Sequence, residues 1–153
     1  MGVSGKGFPV FSKNFILALE GNPLISMQTK HPHILVVDDN EEILSTISII
    51  LKMKFYRVSV KDKIENFEQV VEELLPDLIL LDKNLGWADG CNLCKSIKTN
   101  KRLSYIPVIM FSAYYKKRDE CMSAGADEFI EKPFEMNALL NAIQSFAGSQ
   151  RAV

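Results

Sequence analysis

The chain has little of what builds an extracellular framework or a membrane span. Its 3 cysteines in 153 residues are an odd number at spacings that fit no disulfide framework, which points to a reducing compartment. The 2 histidines, His31 and His33, have no cysteine or acidic third ligand nearby in sequence, so they read as surface residues rather than a metal pair. The longest apolar runs, such as Phe15 to Leu19, fall short of the about 20 residues of a membrane span and the about 7–15 of a signal-peptide core. A soluble, cytoplasmic protein with no membrane partner is expected. Charge of one sign is lacking too. With 18 basic and 19 acidic residues and a net charge of -1, no global field draws the chain to nucleic acid. No DNA-binding segment follows the last helix, so no direct DNA binding is expected.

What is present is a core. A hydrophobic content of 47% over this length suits one globular domain. Residues 1–33 stand apart, punctuated by Gly2, Gly5, Gly7, Pro9, Gly21 and Pro23. They read as a mobile extension, with one helical turn around Phe15 to Leu19. Met27 is a candidate natural start, which would make the first 26 residues upstream sequence. Residues 34–148 form the expected domain and 149–153 a tail.

From Ile34 onward strands and helices alternate. Ile34–Val37 reads as a strand; Asp38, Asp39 and Asn40 offer N-caps, and Glu41 and Glu42 suit the positive end of the helix that follows. Ile43, Leu44, Ile47, Ile50 and Leu51 give that helix one apolar face. Phe55 to Val60, aromatic and β-branched, reads as a second strand. Ile64, Phe67, Val71 and Leu74 mark a second helix. Asp77 to Leu81 is a third strand, whose four aliphatic residues require burial on both faces. Leu93, Cys94 and Ile97 face inward on a third helix after Gly90. A fourth strand is expected at Ile106 to Phe111, a short polar helix at Tyr115 to Ala124, a fifth strand at Glu128 to Glu131, and a last helix with Met136, Leu139, Leu140 and Ile143 inward. Five βα units in strict alternation imply an α/β, doubly wound parallel sheet with right-handed crossovers.

In the common 2-1-3-4-5 strand order, Asp38 and Asp39 at the end of the first strand neighbour Asp82 at the end of the third, on the edge where open α/β sheets bind ligands. Like charges about 4 Å apart at an effective dielectric of about 20 repel by about 4 kcal/mol, so three carboxylates there call for a cation. Oxygen ligands and a short coordination shell suit Mg²⁺. Lys132, before Pro133, brings an ammonium to the same edge, and Ser112 a hydroxyl. Together they describe a carboxylate that receives a phosphoryl group.

Val36-Val37-Asp38-Asp39, Leu80-Leu81-Asp82 with Asp89-Gly90, Ser112-Ala113, Gly125-Ala126-Asp127 and Lys132-Pro133-Phe134, in this order and spacing, resemble the receiver domains of two-component response regulators, from about Ile34 to Phe146. The resemblance implies a (βα)5 flavodoxin-like sandwich and a phosphorelay component. In it, Asp82 would be the phosphoacceptor, while Asp39 and the backbone carbonyl of Asn84 would join Asp82 as Mg²⁺ ligands and Asp38 would act mainly through a bound water. Ser112 and Lys132 would hold the phosphoryl group, and Phe129 would be the rotating switch aromatic. It also implies a sensor histidine kinase or phosphotransfer protein as donor, and a downstream protein reading the fourth helix, fifth strand and last helix. Such a domain is no enzyme beyond its own phosphorylation and autodephosphorylation. The Lys132–Pro133 bond is expected to be cis. The family's usual proline after Asp-x-x-Leu is replaced by Gly86-Trp87, from which a more mobile loop is expected.

Cys91-Asn92-Leu93-Cys94 is formally a Cys-x-x-Cys, but zinc needs two more ligands and Cys121 falls on another helix, so a structural role is expected. Lys116, Lys117 and Arg118 fall in the first turn of a helix, the unfavourable end for cations. Two other functions compete. Leu80 to Asn84 loosely resembles the Asp-x-Asp start of haloacid-dehalogenase-type phosphatases, though Asn84 cannot serve as their general acid; a receiver-like module that binds without phosphorylation is the other.

Overall fold

The structure, a computed structural model, describes residues 31–147; most of the expected extension and the C-terminal tail lie outside the described residues. The element order is β1 (His33–Val37), α1 (Glu41–Met53), β2 (Arg57–Lys61), α2 (Phe67–Leu74), β3 (Leu78–Asp82), α3 (Gly90–Thr99), β4 (Val108–Ser112), α4 (Arg118–Ser123), β5 (Glu128–Glu131) and α5 (Met136–Ala147). The five strands run parallel in the order β2-β1-β3-β4-β5, the doubly wound sheet that the alternation implied. A two-residue antiparallel ribbon, Asn84–Leu85 against Ala88–Asp89, follows β3.

The aliphatic run of β3 is buried because both faces are covered. Even-numbered Leu78 and Leu80 join Ile34, Val36, Ile109 and Phe111 under α1 and α5. Odd-numbered Ile79 and Leu81 join Leu35, Val37, Val108 and Met110 under α2, α3 and α4. At about 1.5–3 kcal/mol for each fully buried aliphatic side chain, these central strands dominate the stability. Helix α1 starts where its cap chemistry dictates: Asn40 Oδ1 accepts from the backbone N–H of Glu42 and Ile43.

Several boundaries differ from the sequence reading. Phe55 is no strand residue. It sits at φ 63, its N–H donating to the Lys52 carbonyl (3.0 Å) while that of Tyr56 reaches Leu51 (3.0 Å). This is the paired closure of a helix C-terminus that glycine usually makes, so β2 begins only at Arg57. Ile64 is buried but precedes α2, which is capped by Asn66. His33 belongs to β1 rather than to the extension or the surface. It is buried, with Nε2 2.9 Å from Ser59 Oγ and its N–H on Asp77 Oδ2 at 2.7 Å; burial, with Arg57 nearby, pushes its pKa down.

The short polar helix splits into a 3-10 turn, Tyr115–Lys117, and α4 proper. Lys116 and Lys117 thus precede the helix, and Asp119 and Glu120 occupy its first turn, so the expected misfit with the dipole is confined to Arg118. That guanidinium turns away to the Phe129 carbonyl (3.1 Å) and Glu128 (3.4 Å). Only Cys121 of α4 is buried. Among the described residues no helix is long and apolar enough to cross a membrane.

Candidate functional site

Parallel neighbours end on the same edge, so the loops after β1, β3, β4 and β5 meet there. They enclose a cleft of about 330 Å³ lined by Asp38, Asp39, Asn40, Ile43, Asp82, Asn84, Ala113, Tyr114 and Lys132. A larger groove of about 440 Å³ between α1 and β2 offers only Glu41 and Asp62 as ionisable groups, at positions that form no such constellation.

Lys132 is the centre of the cleft's electrostatics. Its Nζ donates to Asp38 Oδ2 and to Asp82 Oδ1, both at 2.7 Å, and lies 4.5 Å from the centre of the Phe111 ring. The Lys132–Pro133 peptide is cis. Asp38 and Asp82 are 1% and 4% exposed, and each has a second tether: the Asn40 N–H donates to Asp38 Oδ1 (2.8 Å) and the Asn84 N–H to Asp82 Oδ2 (2.7 Å). Asp39 is exposed and accepts from the Gly86 N–H at 2.8 Å. Burial raises the Asp82 pKa; Lys132 opposes that shift and Asp38 adds to it.

One ammonium against three carboxylates leaves the cleft short of positive charge. The surplus donors are all carboxylate oxygens, the chemistry a hard divalent cation takes, so the residues present fit Mg²⁺. Ser112 stands further back. It is buried and is not among the residues that line the cleft, with Oγ accepting from the Tyr114 N–H (3.2 Å) and from the side-chain amide of Asn84, which does line it (3.4 Å). Phe129 lies outside the cleft, buried in the core on the α4 side, with the Arg118 guanidinium 5.9 Å from its ring centre.

Residues 34–144 match the response regulator receiver domain. The chain belongs to that family. It is a receiver domain of two-component systems, and receiver domains are signalling domains, generally not classed as enzymes. Among similar proteins, the DNA-binding dual master transcriptional regulator RpaA of Synechocystis is 33% identical over 117 residues, covering 74% of this chain and 48% of that protein. The DNA-binding response regulator MtrA of Mycolicibacterium smegmatis is 29% identical over 121 residues, 78% of this chain and 52% of that protein. The chain therefore spans about half the length of these relatives. Similar solved structures include two receiver domains. A chemotaxis-regulator-like receiver domain protein from Methanospirillum hungatei has a TM-score of 0.72 at 26% identity, covering 79% of this chain and 97% of that one. The receiver domain of a Pseudomonas aeruginosa sensor histidine kinase, with magnesium coordinated in its active site cleft, has a TM-score of 0.66 at 27% identity, covering 78% and 100%.

These relatives correct one expectation. The expectation of no direct DNA binding rests on charge balance and on the residues after the last helix, yet RpaA and MtrA are DNA-binding regulators by name. A net charge near zero bears only on the residues it counts, and the match covers about half of either regulator.

Other features of this receiver domain escaped the sequence reading. Lys83, one residue past Asp82, is buried and ion-paired with Asp89 and, at 3.0 Å, with Glu120 of α4. The Asn84 amide on Ser112 was missed as well. The Gly86-Trp87 loop, expected to be mobile, is tethered twice: Gly86 to Asp39, and Trp87 Nε1 to the Asp62 carbonyl at 2.8 Å. Asp89 caps α3 through the Cys91 N–H (2.8 Å), and an Asp before a Gly and an apolar run is a signal that could have marked that cap.

Proposed function

We propose that Asp82 accepts a phosphoryl group and that the resulting change leaves the domain through α4, β5 and α5. The observation that carries this is the single lysine ammonium shared by two buried carboxylates. It holds the Asp82 carboxylate in a fixed pose, as a nucleophile needs. The Asp82 oxygen forms a bond to phosphorus while the donor's bond to phosphorus breaks and the leaving group departs with its electron pair. Lys132, already at hydrogen-bond distance from Asp82, stays within reach of the new phosphoryl oxygens. Asp38, Asp39, Asp82 and the Asn84 carbonyl would hold Mg²⁺, which when bound supplies charge neutralisation for the transferring group.

Ser112 would turn to the phosphoryl group once the Asn84 amide releases its hydroxyl, and Phe129 would adjust beside α4. A helix with one buried side chain moves for little energy, the scale on which a covalent modification shifts two populations. The expected setting is the cytoplasm, in a relay fed by a phosphorylated histidine.

Incubation of the full chain with acetyl phosphate and Mg²⁺ tests the reading. One phosphoryl group per molecule is expected, absent in Asp82→Asn and labile to alkali and to hydroxylamine, as an acyl phosphate is. Labelling that persists in Asp82→Asn would refute the assignment, and rapid turnover of the donor without accumulation would favour a phosphohydrolase.

A further inference from the structure

Helices α3 and α4 meet through sulfur. Cys91 Sγ lies 3.2 Å from Cys121 Sγ, across the junction that Lys83 also bridges by pairing with Asp89 at the start of α3 and Glu120 on α4. Asp89, Cys91 and Glu120 bring ligand atoms within 4.8 Å of one another, but the Lys83 ammonium already pairs with both carboxylates, so the place is not short of a cation. The sulfur pair is what remains to be explained. A disulfide needs the sulfurs at about 2.05 Å, a closure of roughly 1 Å from where they stand. Cys94, on the same helix as Cys91, is also buried and its thiol is pushed up to about 12 by burial.

We propose that Cys91 and Cys121 form a peroxide-oxidisable pair, whose disulfide clamps α4 to α3. Cys91, 6% exposed against 0% for Cys121, is the better candidate to react first. Its sulfur takes the terminal oxygen of hydrogen peroxide, giving a sulfenic acid and water. The Cys121 thiol then displaces the hydroxyl, which leaves as a second water with the thiol proton, and the sulfur–sulfur bond forms. Two thiols thus lose one electron each and one peroxide gains two. Burial disfavours both thiolates, so the reaction awaits a lifting of α4, whose one buried side chain is Cys121 and whose Glu120 must then release Lys83.

The consequence is a domain whose α4 no longer answers the acidic cleft. That part rests on the output route proposed above; the sulfur chemistry does not. The test uses the full chain, reduced and peroxide-treated. Expected are one alkylatable thiol, Cys94, after denaturation, a linked peptide pair holding Cys91 and Cys121, reversal by dithiothreitol, and about tenfold slower hydrogen exchange of the amides in 118–126. Cys94→Ser should keep the link and the protection, and Cys91→Ser should lose both. Three free thiols, a link through Cys94, or a sulfinic acid at Cys91 without a link would overturn the pair. Beryllofluoride with Mg²⁺ separates the two ideas. If α4 resonances shift in the reduced protein and equally in the oxidised one, the clamp is wrong; if they shift in neither, the output route fails while the linked peptides and exchange rates still decide the pair.

Discussion

Gly90 lies so close to the Asp82 backbone that a Cβ on it would stand 2.1 Å from the Asp82 carbonyl oxygen and 2.9 Å from Lys83 Cα. Its N–H donates to the Lys83 carbonyl at 2.8 Å, so the start of α3 is pressed onto the segment that carries the acidic cleft. The atoms that a methyl would meet, the Asp82 carbonyl carbon at 3.0 Å included, are all backbone, and none can swing aside. Gly90→Ala is expected to cost about 3 kcal/mol, read from the shift of the urea midpoint. A loss under about 1 kcal/mol would show that this segment yields freely.

Asp82 should also be a stability liability at neutral pH. Its pKa in the folded state is raised by burial, so folding favours its proton. The penalty is absent below the unfolded carboxylate value of about 3.9, grows as pH rises from there to the folded value, and is constant above it. Asp82→Asn should therefore melt higher than the parent at pH 7, with the difference vanishing in acid. A variant that melts lower at pH 7 would mean that Lys132 outweighs burial.

Phe55 occupies a left-handed position where an L side chain costs about 1–2 kcal/mol. The residue is 72% exposed, and among the described residues its ring stacks on His31, 6.1 Å away. Phe55→Gly is expected to stabilise the domain by about 0.5 kcal/mol, after the extra freedom of glycine in the unfolded chain is subtracted. Destabilisation on thermal melting would show that the ring's packing outweighs the backbone cost.

Asp39 holds the Gly86 N–H, next to the single tryptophan of the chain, Trp87. Mg²⁺ competing for that carboxylate would disturb the loop, so titration with Mg²⁺ should change Trp87 fluorescence in a saturable way, and Asp39→Asn should weaken the response. A response unaltered by that substitution would remove Asp39 from the ion's ligands.

The sequence was most legible where local chemistry and tertiary demand agree. The four aliphatic residues of β3 suit a covered parallel sheet; of the N-caps offered by Asp38, Asp39 and Asn40 before two glutamates, Asn40 opens the helix; β5 falls where it was read, at Glu128–Glu131. Five cleft residues were legible because strand ends in a parallel sheet share an edge. Phe55 misled because its β-propensity is a side-chain preference, whereas its place was set by the carbonyls of α1 left to be satisfied. Lys83 and the Cys91–Cys121 contact were not legible at all, because they depend on how α3 and α4 cross, and no residue spacing encodes a crossing.

The two faces of β3 make its length unusually sensitive. Asp82 continues the even-numbered face toward Lys132, and Lys83 continues the odd-numbered face toward Asp89 and Glu120. A single deleted codon within residues 78–81 would bring the Lys83 ammonium beside Lys132, and a single inserted codon would bring the Asp82 carboxylate beside Asp89 and Glu120, so either change sets like charges together. This strand can therefore drift by substitution among aliphatic residues, but its length is locked by charge at its two faces.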